Sequence, residues 1–139
     1  MSAKRILVID DEQAACLYLA RLFQERGYSV ACANDGYEAA GRVKQARPDL
    51  ITLDLSMPNK SGVKFYREMK STPELSRVPI VLVAAVPGFG GKLRDAERYY
   101  VSKHQVPPPD AFVAKPIDPD EMIGVVERLV SERHPTPPQ

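Results

Sequence analysis

Leu50-Ile51-Thr52-Leu53-Asp54-Leu55-Ser56-Met57-Pro58 is the stretch that decides how this chain folds. Its first four residues are a short, nearly continuous apolar run, the pattern of a strand buried on both faces of a parallel sheet. Asp54 then stands at the carboxyl end of that strand, where open α/β sheets place their ligands. Ile6-Leu7-Val8-Ile9 is a second run of the same kind, and it also ends in acid, at Asp10-Asp11-Glu12. If the two strands are neighbours, three carboxylates converge on one edge of the sheet.

Working outward, the patterns alternate. After Ile6–Ile9 comes a helix from Ala14 to Arg26, with Ala15, Leu19, Leu22 and Phe23 on one stripe and Gly27 available for a left-handed cap. Ser29–Cys32 is a short strand. Asn34-Asp35-Gly36 is a turn whose Asp35 can cap a helix running to about Ala46, with Ala39, Ala40 and Val43 inward and Pro48 as its stop. Beyond Leu50–Leu53, Ser61 can open a helix to about Lys70, with Val63, Phe65 or Tyr66, and Met69 inward. Ile80–Ala84 is the fourth strand. Residues 86–91 read as a flexible loop, Lys92 to about His104 as a helix with Leu93, Ala96 and Tyr99 or Tyr100 on one stripe, and Val106-Pro107-Pro108-Pro109 as extended chain. Ala111–Ala114 is the fifth strand. In the last helix Asp118 is the N-cap, Pro119 the first helical residue and Glu121 the partner in a capping box, ahead of a stripe of Met122, Val125, Val126, Leu129 and Val130. Five βα repeats imply a parallel sheet covered on both faces. Right-handed crossovers leave few topologies, of which the doubly wound flavodoxin-like order 2-1-3-4-5 is one, and that order puts Asp10, Asp11 and Asp54 side by side.

Composition bounds the rest. The 139 residues suit one domain, expected over 1–133 with a disordered tail over 134–139, and 44% hydrophobic with 27% charged residues is an ordinary globular balance. A net charge of +1 directs the chain to neither nucleic acid nor membrane. The apolar run near the N-terminus is four residues long and closed by two aspartates, unlike a signal peptide. Cys16 and Cys32 lack metal or redox spacing and read as small buried hydrophobes, which with the rest implies a cytoplasmic protein. His104 and His134 read as surface residues without a metal role.

Three carboxylates in one place repel, each close pair by on the order of 4 kcal/mol at an effective dielectric of 20. A divalent cation among them relieves this, and oxygen-only ligands favour magnesium. One carboxylate can also act as a nucleophile toward phosphorus, giving an aspartyl phosphate. Lys115-Pro116, after the fifth strand, puts a cation on the same edge of the sheet.

At this point the chain resembles a response regulator receiver domain, the phosphoacceptor module of two-component signalling. The residues that carry the resemblance are Ile6–Glu12, Asp35-Gly36, Asp54–Pro58, Gly62, Pro79–Leu82, Phe112 and Lys115-Pro116, in the family's order. The resemblance implies that Asp54 is phosphorylated, and that Asp10, Asp11, Asp54 and the backbone carbonyl of Ser56 hold Mg2+. It implies that Lys115 pairs with the phosphoryl group and that the bond before Pro116 is cis. It further implies a sensor histidine kinase or phosphotransfer protein as donor and a downstream protein target met by the fourth helix, fifth strand and fifth helix. Homodimerisation is compatible with it, and direct nucleic-acid or membrane binding is not expected. It is not expected to be an enzyme beyond its own phosphorylation and dephosphorylation.

Two departures stand out. Receivers usually end the fourth strand with Thr or Ser followed by Ala, and here Ala84-Ala85 stands there. The hydroxyl that would bond the phosphoryl oxygen and couple it to the aromatic switch position, Phe112, is absent, a loss of roughly 1.5–3 kcal/mol to the phosphorylated state. The span from Ala84 to Lys115 is also longer than in a typical receiver, which points either to a rebuilt output surface with Phe89, Tyr99 and Tyr100 as candidate contacts or to tyrosines that simply pack the fourth helix on the sheet. The competing reading is a receiver-like interaction module that works without phosphorylation. A P-loop fails because Val86 and Leu93 stand where Gly and Ser or Thr are needed. A haloacid-dehalogenase-like phosphatase fails because Ser56 stands where a second acid is needed.

Overall fold

The computed structural model describes residues 3–55, 61–85 and 93–133, and the expected tail over 134–139 lies outside them. The elements are β1 (Arg5–Ile9), α1 (Gln13–Gln24), β2 (Ser29–Ala33), α2 (Gly36–Gln45), β3 (Leu50–Asp54), α3 (Ser61–Ser71), β4 (Ile80–Ala85), α4 (Leu93–His104), β5 (Ala111–Lys115) and α5 (Pro119–Arg133). All five strands run parallel in the order β2-β1-β3-β4-β5. This is the doubly wound, flavodoxin-like arrangement expected from the alternation, with boundaries moved by one or two residues.

The unbroken apolar strands are explained by the two cores. Alternate residues of one strand feed opposite faces. Leu7, Ile9, Ile51 and Leu53 pack toward Ala39, Val43, Phe65, Tyr66 and Met69. Ile6, Val8, Leu50 and Val81 pack toward Cys16, Leu19, Phe23, Met122, Val126 and Leu129. Each large side chain so buried is worth about 1.5–3 kcal/mol relative to exposure. In α1 the buried stripe is Cys16, Leu19 and Phe23, with Ala15 only half-buried, and in α5 Ile123 is buried where Val125 is half-buried.

Local signals hold the ends. Gly27 has φ 91°, the left-handed conformation that glycine adopts without a Cβ penalty. Asp35 accepts the Glu38 N–H at 2.8 Å, and Asp118 accepts the Asp120 N–H at 2.9 Å and the Glu121 N–H at 3.4 Å, each cap worth about 1 kcal/mol. Between α2 and α3 the backbones nearly touch. The Gly36 N–H donates to Ser61 Oγ at 2.9 Å, and a Cβ on Gly36 would lie 2.0 Å from the Ser61 carbonyl oxygen.

The long connection from α4 to β5 is laced to α3. Gln105 turns with φ 52°, and the chain then follows the α3 axis. Arg67 donates to the His104 carbonyl, the buried Tyr66 hydroxyl donates to the Pro107 carbonyl at 2.8 Å, and Lys70 meets Asp110 at 2.9 Å. Asp110 in turn accepts the Ile80 N–H at 2.8 Å. Burial raises the Tyr66 phenol well above its ordinary pKa, so it stays a donor. The loop expected over 86–91, Phe89 included, lies outside the described residues. Among the described residues no helix is long and apolar enough to cross a membrane.

Candidate functional site

The sheet order delivers three strand ends to one place. Asp10 follows β1 and is fixed by its own N–H, which donates to the Ala33 carbonyl at 3.0 Å. Asp54 is the last residue of β3, in register with Val83, and the next N–H, of Leu55, donates to the Val83 carbonyl at 2.8 Å. Lys115 ends β5 in register with Ala85. From these ends the side chains converge. Lys115 Nζ lies 2.9 Å from Asp54 Oδ2 and 3.7 Å from Asp10 Oδ2. Both aspartates are buried, each 3% exposed, and Lys115 is partly covered.

The electrostatics follow from burial. Desolvation pushes the Asp10 carboxyl up to about 6, and the negative charges of Asp54 and Asp11 add to this, while the Glu12 N–H bonded to Asp10 Oδ1 at 2.9 Å and the Lys115 charge pull the other way. For Lys115 burial alone would lower the ammonium, but its hydrogen bond and charge contact with Asp54, with Asp10 and Glu12 beyond, outweigh that and raise it. Lys115 is therefore firmly charged at neutral pH.

Asp11 and Glu12 are exposed beside Asp10, and ligand oxygens of the three carboxylates all lie within 4.8 Å of one another. This all-oxygen donor set suits a hard divalent cation that keeps several waters. Glu12 had no role assigned from sequence, although it directly follows the aspartate pair. Ser56 lies outside the described residues. Cys16 sits beneath the site, its thiol donating to the Asp10 carbonyl at 3.5 Å, and burial, then its contact with Cys32, push that thiol up to about 12.

Ala84 is wholly buried in the same apolar cluster as Phe112, whereas Ala85 is exposed beside the end of β5. Phe112 is 7% exposed and its ring lies 5.9 Å from that of Tyr100, which stacks on His104 at 6.2 Å. Tyr100 is half-buried and Tyr99 is 46% exposed, so neither ring is wholly inside the core. The Lys115–Pro116 bond is cis.

With the site in place, comparison with known proteins is direct. The response regulator receiver domain model matches residues 6–127. The chain belongs to that family. Among curated relatives, this receiver is 32% identical to protein Rrf1 of Nitratidesulfovibrio vulgaris, over 91% of this chain and 83% of that protein. It is 32% identical to response regulator MprA of Mycobacterium leprae, over 94% of this chain and 53% of that protein, so it spans about half the length of that relative. Among solved structures it is similar to the signal receiver domain of a signal transduction histidine kinase from Syntrophus aciditrophicus, with 28% identity, a TM-score of 0.80 and coverage of 96% and 95% of the two chains. Receiver domains belong to two-component signalling, and the sequence-based assignment to this family and fold is borne out.

Proposed function

We propose that this receiver is a phosphoacceptor, taking a phosphoryl group on Asp54 and passing the signal to a protein partner. The observation that carries the reading is the approach of Lys115 Nζ to 2.9 Å from Asp54 Oδ2 and 3.7 Å from Asp10 Oδ2. A buried carboxylate at the carboxyl end of a central strand, with one cation and an acidic cluster around it, is built for nucleophilic attack on phosphorus followed by neutralisation of the new charge.

In this reading a carboxylate oxygen of Asp54 attacks the phosphorus of a phosphohistidine on a sensor kinase or phosphotransfer protein. The P–N bond breaks and the leaving imidazole takes up a proton. Lys115 then swings its ion pair from the Asp54 oxygen to a phosphoryl oxygen. Asp10, Asp11, Asp54 and the Ser56 carbonyl would hold Mg2+, with Glu12 alongside, and the ion would neutralise charge on the transferring group. The carboxylates fit such an ion by donor type, and oxygens of Asp10, Asp11 and Glu12 lie within 4.8 Å of one another. The chain turns over no external substrate in this role, acts in the cytoplasm as residues 1–133, and meets its target through α4, β5 and α5.

A second reading, an interaction module independent of phosphorylation, is favoured by one residue: Ala84 offers no hydroxyl to a phosphoryl oxygen. Incubation with acetyl phosphate and magnesium, followed by intact-mass measurement, separates the two. The phosphoacceptor reading expects one phosphoryl group on the wild type and none on Asp54→Ala. Equal labelling of both proteins, or none on either, would overturn it.

A further inference from the structure

A second charged feature lies away from the carboxylates. A cleft of about 660 Å3 is bounded by Tyr37 at the start of α2, Lys64 and Arg67 on the exposed side of α3, and Lys103 and His104 at the end of α4, with the buried Ser61 at its floor. Three permanent cations face it, and no carboxylate lines it among the described residues. The whole chain carries only +1, so this is a local concentration of charge. Like charges held this close repel, and an anionic occupant removes that repulsion.

We propose that this cleft docks an acidic peptide segment of a protein partner. The cations come from two helices, Lys64 and Arg67 from α3 and Lys103 from α4, and a segment carrying several carboxylates can meet all three. The aromatic residues also favour peptide over nucleic acid. Among the described residues Tyr37 is the only Phe, Tyr or Trp lining the cleft, and the Lys64 ammonium lies 6.0 Å from its ring centre, so the cleft lacks the row of rings on which successive bases stack. Arg67 is held in place by its bond to the His104 carbonyl, which uses a donor without cancelling its charge. The pre-set guanidinium lowers the ordering cost of binding.

The groove is built by the connection from α4 to β5 and by the contact between α2 and α3. Lys103 and His104 reach it because the extended segment after α4 is laced along α3. Ser61, at its floor, begins the helix that follows Asp54 and is clamped by the Gly36 N–H. Docking here needs no phosphoryl group, so its success or failure is separable from that of the phosphoacceptor reading.

The test uses the full chain and a fluorescein-labelled peptide of alternating glutamate and leucine, read by fluorescence anisotropy in low salt. Binding should weaken by about tenfold in each of Lys64→Glu and Lys103→Glu, and fall steeply with added salt, while Lys44→Glu on the far part of α2 should change it less than about twofold. Backbone amide NMR shifts on titration should centre on residues 37, 64, 67, 103 and 104. Failure of the peptide to bind, an equal effect of Lys44→Glu, or shifts centred elsewhere would overturn the proposal. Tighter binding of single-stranded oligonucleotide, or of inorganic phosphate alone, with the same dependence on Lys64 and Lys103, would overturn the peptide assignment. Circular dichroism on each variant confirms that lost binding is not lost folding.

Discussion

Replacing Lys115 by Met leaves two buried carboxylates facing each other without their cation. At 2.9 and 3.7 Å the gross attractions are about 6 and 4 kcal/mol at an effective dielectric of 20. Desolvation of the charges offsets much of this, so the net worth of the pairs is smaller. The cost of removing one partner is set by what remains, and for a fully buried pair it is about 3–5 kcal/mol. Asp54 and Asp10 are 2% and 4% exposed at their side chains, but Lys115 is 25% exposed, so water supplies part of the loss and about 2–3 kcal/mol is the better figure. With a urea slope near 2 kcal/mol per molar, the unfolding midpoint should drop by about 1–1.5 M at neutral pH in EDTA. The deficit should be smaller near pH 5, because Asp10, already raised to about 6, rises further without Lys115 and takes up a proton there. Magnesium should also shrink it by binding the folded carboxylates, and Asp54→Asn added to Lys115→Met should recover part of the loss. An unchanged midpoint, or the same deficit at both pH values, would refute the reasoning.

Three further outcomes are expected. In EDTA the fold favours protonated Asp10, so its contribution to stability is fully present below the ordinary 3.8 and is lost as pH rises through about 6, a difference of at most about 3 kcal/mol; the gap in urea midpoint between Asp10→Asn and wild type should widen over that window. Gly36→Ala should cost at least about 1–3 kcal/mol, because its Cβ would meet Ser61 backbone at 2.0 Å, whereas Gly41→Ala, with nothing within 4 Å of its Cβ, should stabilise α2 by about 0.5–1 kcal/mol in thermal unfolding. Asp118→Ala removes the acceptor for two N–H groups of α5 and should cost about 1 kcal/mol by the same measurement.

What the sequence made legible was what has a local cause. Apolar runs, the Gly27 cap and the Asp118–Pro119 start each act within a few residues, and together they determine the alternation from which strand order follows. The convergence of Asp10, Asp54 and Lys115 was legible only through that order, since Lys115 and Asp54 are 61 residues apart. The ties between Tyr66 and Pro107 and between Lys70 and Asp110 had no such signal, because helical periodicity says which face is inward and not which distant carbonyl a hydroxyl will find. The same limit blurred the stripe of α1: spacing admitted Ala15, which is half-buried, while Cys16, read from its residue type as a small buried hydrophobe, takes the inward position.

Ala84 and the connection from α4 to β5 meet through the rings packed between them. The resemblance implies, for receivers with Thr or Ser at that position, a hydroxyl that bonds the phosphoryl oxygen and couples it to the aromatic of β5. Here Ala84 is wholly buried and offers no donor. Phe112 instead packs on Tyr100, Tyr100 stacks on His104, and the chain after His104 is pinned to α3 at three points. Close-packed rings shift between discrete arrangements rather than deforming smoothly. A displacement of Phe112 would therefore press on Tyr100 and, through it, on His104 at the end of α4. That end is also one wall of the basic cleft, so the Phe112–Tyr100–His104 ring contacts lie between the buried Ala84 and the surface where the cations gather.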